Sequence, residues 1–129
     1  MLRIYADENI PRASEALSPF GAVTLFKGRG LSRAQLGACD ALIVRSVTKV
    51  DRALLEGTPV RWVASATAGI EHVNEEDLRA LNIPFASAPG SNAGSVVEWV
   101  LSVLALWLQV GDRAFEGLTI GIVGCGNVG

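Results

Sequence analysis

The chain has 129 residues, half of them hydrophobic, and its 11 lysines and arginines stand against 13 aspartates and glutamates for a formal net charge of -2. That is the size and balance of a soluble domain able to bury a core, and without a basic block to neutralise several phosphates, nucleic acid is not an expected partner. Cys39 and Cys125 stand apart in apolar surroundings, with no CxxC pair or histidine-rich neighbour, which argues against zinc and a disulfide framework and fits a reduced, cytoplasmic setting.

The opening "MLRIYADENIPR" places an acidic pair where a signal peptide needs its apolar core, so no export signal is expected. Instead "RIYA" (3–6) reads as a first strand ending in "ADEN" with Asp7, and Pro11 suits the first turn of a helix. "AVTLF" (22–26) gives a second strand, and Ser32 with Gln35 forms a capping box for the segment after it. A third strand, "ALIVR" (41–45), leads through "SVTKV" to Asp51, an N-cap before "RALLEG", whose Gly57 closes that helix. "WVASA" (62–66) is the fourth strand, Asn74 caps "EEDLRALN", and "PFASA" (84–88) is the fifth strand.

Next comes "SVVEWVLSVLALWLQV", Ser95 to Val110. As a helix it would measure about 24 Å, short of the roughly 30 Å hydrocarbon core of a bilayer. Its polar members Ser95, Glu98, Ser102 and Gln109 make one narrow stripe on an apolar cylinder, which predicts a helix buried between partners and no membrane contact. "TIGIV" then reads as a sixth strand running into Gly124-x-Gly126-x-x-Gly129, the spacing of a dinucleotide fingerprint. There Gly124 would permit the tight turn, Gly126 close backbone approach and Gly129 close helix packing. Asn127 and Val128 would offer backbone N–H groups to a pyrophosphate.

Strands alternating with short helices predict an α/β fold with a parallel sheet and right-handed crossovers, a five-stranded flavodoxin-like unit; if its order is 2-1-3-4-5, the first and third strands flank the switch point. Because that unit is complete before the glycines, the sixth strand is expected to open a second, Rossmann sheet. The division is residues 1–94 for the N-terminal part of a substrate-binding domain, and 95–129 for a linking helix and the start of a nucleotide-binding domain.

Ligands of open parallel sheets bind at the carboxyl ends of the strands. Arg45, Ser46, Thr67 and Gly69 stand at such ends and are expected to line one crevice. A guanidinium fork, hydroxyls and a glycine loop suit a small carboxylate or phosphate. Arg45 could equally pair with Asp7 or Glu8, and the hydroxyls of Ser46 and Thr67 could serve their own turns. His72, the only histidine, invites an acid–base role, with loop packing as the plainer alternative.

Taken together and in order, "ADENIP", "ALIVRSVTKVDRALLEG", "ASATAGIEHV", "ASAPGSNAGSVVEWV" and "LTIGIVGCGNVG" resemble the D-2-hydroxyacid dehydrogenase family, along nearly the whole chain. "VRSVTKV" does not separate its members, since phosphoglycerate dehydrogenases carry something similar. Glu71 and Asn74 depart from a loop that more often has aspartate at both positions. The resemblance implies NAD as cofactor, a small phosphorylated 2-hydroxy acid oxidised at its 2-hydroxyl, and a homodimer at full length. It favours substrate contact for Arg45, Ser46 and Thr67. The family's catalytic arginine, glutamate and histidine follow the fingerprint, so none is expected within residues 1–129, His72 is left to loop packing, and the chain corresponds to an N-terminal third that is inactive alone. A flavodoxin-like binding module would account for the first five units and Asp7, but not for the long helix and the strand after it; a stand-alone small-molecule binder would need no second domain.

Overall fold

The computed structural model describes residues 1–124 and 126. Two compact units divide the chain, Met1–Ala88 and Pro89–Gly129.

The first unit is a five-stranded parallel sheet with β1 (Leu2–Asp7), β2 (Gly21–Phe26), β3 (Ala41–Val44), β4 (Trp62–Ser65) and β5 (Phe85–Ala86) in the order β2-β1-β3-β4-β5. This is the order on which the placing of β1 and β3 at the switch point is premised. Cross-strand register sorts the side chains by face. Tyr5, Leu42, Val63 and Phe85 align in one row and pack with Val44, Leu36, Val50, Leu55 and Leu78 into the main core. Ile4, Ala41 and Trp62 align on the opposite face. With Leu2, Ile43, Leu17 and Phe20 they line a wholly apolar groove of about 270 Å³. The alternation follows from the two-residue period of a strand, which sends successive side chains to opposite faces.

Between the strands lie α1 (Ala13–Leu17), a 3₁₀ turn (Arg33–Leu36), α2 (Arg52–Leu55) and α3 (Glu75–Ala80). Three starts carry the expected caps. Ser32 and Gln35 form the capping box, Asp51 accepts from the Leu54 N–H, and Asn74 accepts from those of Glu76 and Asp77. Gly57 follows α2 at φ +73°, where the left-handed backbone favours glycine. Pro11, by contrast, is outside α1. Arg12 takes φ +58° at the N-cap, so helical geometry starts only at Ala13, and Pro11 belongs to the turn that the Ala13 N–H closes on the Ile10 carbonyl.

Arg3 donates through its backbone N–H, Nε and Nη2 to Asp40, at 2.9 to 3.0 Å, clamping the start of β1 to the entry of β3. These hydrogen bonds, with Arg61 adding charge, hold the Asp40 carboxyl well below the usual carboxylate range. A depressed carboxylate contributes stability that is present above its unfolded pKa, about 3.9, and lost as pH falls toward the folded value. Urea midpoints of the chain are therefore expected to drop as pH is lowered below about 4, and Asp40→Asn should flatten that drop; an identical acid profile in the variant would remove Asp40 as its cause.

The second unit holds α4 (Ala93–Val110), longer than the sequence suggested by two residues at its start. At 18 residues and a mean hydropathy of 1.6 it is long and apolar enough to cross a membrane, by length and composition alone. The expected burial between partners is not found, since no residue of α4 is buried and Trp99, Leu101 and Leu106 are more than half exposed. An apolar cylinder marks a surface that water disfavours without supplying the elements that would cover it. Within the unit, residues 120–123 run beside Val96, Val97, Val100 and Leu101 and leave a cleft of about 460 Å³. Residues 119–123 form no strand, contrary to expectation. Among the described residues none pairs with them, and a strand exists only with a neighbour to complete its hydrogen bonds.

Candidate functional site

The strand order reverses between β1 and β3, which start crossovers to opposite sides, and here the carboxyl ends of β1, β2 and β3 surround a cleft of about 380 Å³. Glu8 and Asn9 come from the end of β1, Lys27, Gly28 and Arg29 from the end of β2, and Arg45 and Val47 from the turn after β3. The turn is tied down from two sides, by the Thr48 N–H donating to the Arg45 carbonyl at 3.1 Å and the buried Thr48 hydroxyl donating to the Gly28 carbonyl at 2.9 Å. Among the described residues none of Lys27, Arg29 and Arg45 is in an ion pair. Three cations thus face one cleft against a single lining carboxylate, Glu8. Such an arrangement suits a multiply charged anion.

Below the cleft lies Asp7, fully buried. Its Oδ1 accepts from the backbone and side-chain nitrogens of Asn9 at 2.8 and 3.2 Å, and its Oδ2 has no hydrogen-bond partner. Arg45 does not pair with it. Gly28 is required by this packing, since a Cβ there would stand 2.0 Å from Asp7 Oδ2 and 2.8 Å from Val47 Cγ2.

The expected single crevice is therefore divided. Arg45, half-buried, lines the cleft, whereas Ser46, Thr67 and Gly69 do not. Ser46 is exposed in the turn that the Thr48 N–H closes. Thr67 is held within its own loop, its Oγ1 2.9 Å from Ser65 Oγ and 3.4 Å from the Gly69 carbonyl. Ser65 Oγ also meets His72 Nε2 at 3.1 Å, and the His72 carbonyl accepts from the Val50 N–H at 2.8 Å. Burial pushes the His72 pKa below its ordinary value, partly offset by Glu71. Sequence reasoning missed Lys27, Arg29 and the buried state of Asp7. Burial pushes the Cys39 thiol up to about 12, so it is a packed core group and not a nucleophile.

Of the fingerprint, Gly124 has φ +96°, a backbone that glycine supplies at no steric cost, and Gly126 lies in a bend with open space where a Cβ would stand. Cys125, Asn127, Val128 and Gly129 lie outside the described residues. Among the described residues no three histidine, cysteine, aspartate or glutamate side chains gather to hold a metal.

Residues 7–121 match the family described as D-isomer specific 2-hydroxyacid dehydrogenase, catalytic domain. The chain belongs to this family. Over 128 residues, 99% of this chain, it is 51% identical to the erythronate-4-phosphate dehydrogenase of Salinibacter ruber, 49% to that of Chromohalobacter salexigens and 47% to that of Escherichia coli. The chain spans about a third of the length of these curated relatives, 33 to 34%. Among solved structures, NAD+-bound 3-phosphoglycerate dehydrogenase of Entamoeba histolytica superposes with a TM-score of 0.70 at 23% identity, covering 98% of this chain and 47% of that one. D-lactate dehydrogenase of Aquifex aeolicus, complexed with NAD and lactic acid, gives 0.58 at 15%, covering 86% of this chain and 36% of that one. At these identities the structures establish the fold: the sheet described above is that of 2-hydroxyacid dehydrogenases.

Proposed function

We propose that this chain supplies the substrate-binding part of an NAD-dependent dehydrogenase that oxidises 4-phospho-D-erythronate to its 2-oxo acid, a reaction we place in the formation of pyridoxal 5'-phosphate. The observation that carries the reading is the cleft where Lys27, Arg29 and Arg45 converge, none of them in an ion pair among the described residues. A phosphate monoester carries close to two negative charges at neutral pH, more than one arginine would balance. The cleft holds that phosphate. Ser46 and Thr67, on the neighbouring strand ends, orient the hydroxy-acid end, and Gly69 permits close backbone approach in the same loop. Identity of 47 to 51% to relatives named for this activity supports the choice of substrate.

The described fingerprint residues fit a dinucleotide, because Gly124 has the left-handed backbone of a tight turn and Gly126 leaves the space that close approach needs. Asn127, Val128 and Gly129 complete the nucleotide site in this reading. When held there, NAD would supply the hydride acceptor for oxidation at C2 of the acid. The acid–base chemistry belongs to residues that follow this segment in the relatives, so His72 takes no proton from substrate. We read α4 as a packing helix of a homodimeric enzyme and not as a membrane span, in keeping with the family.

The test is a substrate comparison in an enzyme that carries residues 1–129 in place of the matching third of the Salinibacter ruber relative. We expect kcat/KM for 4-phospho-D-erythronate to exceed that for 3-phosphoglycerate by about tenfold, one missing contact's worth at about 1.4 kcal/mol. A preference for 3-phosphoglycerate would reassign the substrate, and no preference for a phosphorylated acid over D-erythronate would remove the role of the cleft.

A further inference from the structure

We infer that His72 is a positioning residue which, through Ser65, sets the direction in which the Thr67 hydroxyl presents its proton. The inference rests on the reading above that Thr67 faces the acid. Ser65, 5% exposed at the end of β4, stands between the two groups, 3.1 Å from His72 Nε2 and 2.9 Å from Thr67 Oγ1. The histidine backbone is fixed independently, because the Val50 N–H donates to the His72 carbonyl and the Asn74 N–H to the Val50 carbonyl, both at 2.8 Å. The imidazole thus stands at one end of a short chain of hydrogen bonds that runs through the buried Ser65 hydroxyl to Thr67, both ends being half-buried.

Each hydroxyl carries one proton, so the chain has only two consistent directions. With the proton on Nε2, His72 donates to Ser65, Ser65 donates to Thr67, and the Thr67 proton is free. The remaining partner available to that proton is the Gly69 carbonyl at 3.4 Å, a long contact that a ligand oxygen readily displaces. With the proton on Nδ1, Nε2 accepts from Ser65, Ser65 accepts from Thr67, and Thr67 has only lone pairs left to offer. A carboxylate or phosphate oxygen is an acceptor and is repelled by lone pairs. The two directions thus differ in whether Thr67 can donate to an anion while keeping its hydrogen bond to Ser65. His72 selects the productive one when its Nε2 carries the proton, and binding of the anion in turn selects that tautomer.

The ring nitrogens report this directly. In 15N spectra of the enzyme bearing residues 1–129, saturating 4-phospho-D-erythronate should bring His72 to the Nε2–H form. A bound complex with His72 in the Nδ1–H form would overturn the relay, whatever any variant does. In kinetics, His72→Phe should raise KM for 4-phospho-D-erythronate about tenfold, the range of a hydrogen bond to a charged group, with kcat nearly unchanged. His72→Gln, which keeps a side-chain N–H, should recover most of the loss. In a Thr67→Val background His72→Phe should cost nothing further, since the group it directs is gone. An equal tenfold loss in that background would make His72 a loop-packing residue only. Absence of any turnover or binding of 4-phospho-D-erythronate by the unsubstituted enzyme would instead defeat the proposed function, and so is distinguishable from failure of the relay.

Discussion

In the enzyme bearing residues 1–129, and on the function proposed above, Arg45→Ala is expected to lower kcat/KM for 4-phospho-D-erythronate by about ten- to a hundredfold, the equivalent of a charge-assisted hydrogen bond worth roughly 1.5 to 3 kcal/mol. Arg45 sits one residue beyond β3, half-buried, with its backbone carbonyl fixed by the Thr48 N–H and its side chain in a cleft shared with Lys27 and Arg29. Because among the described residues no carboxylate pairs with it, the guanidinium is available to the ligand and no ion pair among them has to be broken first. The loss should fall on KM, since in the proposed reading the group holds the anion and not the reacting carbon. NAD affinity should change little, the fingerprint glycines lying in the other compact unit. Arg45→Lys should recover only part of the loss, as an ammonium keeps the charge without the planar fork. Steady-state kinetics on the three proteins decide it, and an unchanged kcat/KM in Arg45→Ala would exclude the arginine from the site.

How much of this was legible in the sequence depends on whether the signal was local. The caps at Asp51 and Asn74 and the Ser32–Gln35 box need only a few neighbouring residues, and they form as expected. The parallel sheet followed from alternation of strands and helices, whereas the strand order was only a premise, since crossover handedness does not fix it. Lys27 and Arg29 were invisible as site residues because they carry no spacing signal. They meet Arg45 only once β2 and β3 flank β1, and sequence separation says nothing of that. Asp7 read as a possible partner for Arg45, yet the turn after β1 folds Asn9 back onto it and buries it. The same limit explains α4 and "TIGIV". Their patterns state that water should be excluded and that hydrogen bonds should be completed, and neither pattern contains the covering surface.

The two faces of β3 should respond very differently to truncation. Leu42 is fully buried in the row with Tyr5, Val63 and Phe85, where Leu→Ala removes contact on all sides and leaves a cavity, at a cost of about 2 to 5 kcal/mol. Ile43, the next residue, is half-buried and lines the apolar groove with Leu2, Leu17, Phe20 and Trp62. Truncating it widens a space that is already open, so Ile43→Ala should cost about 1 kcal/mol, part of the transfer energy of a side chain that never left water completely. Urea unfolding of the chain, with the slopes compared to confirm that both variants lose the same structure, measures the difference. Both substitutions leave the Arg45 turn and its Thr48 hydrogen bonds intact. In the enzyme bearing residues 1–129, a fall in stability after Leu42→Ala should therefore occur without a change in KM below the unfolding transition. Equal costs at the two positions would mean that the groove face is covered in solution as completely as the core face, and the assignment of a single core to this sheet would have to be given up.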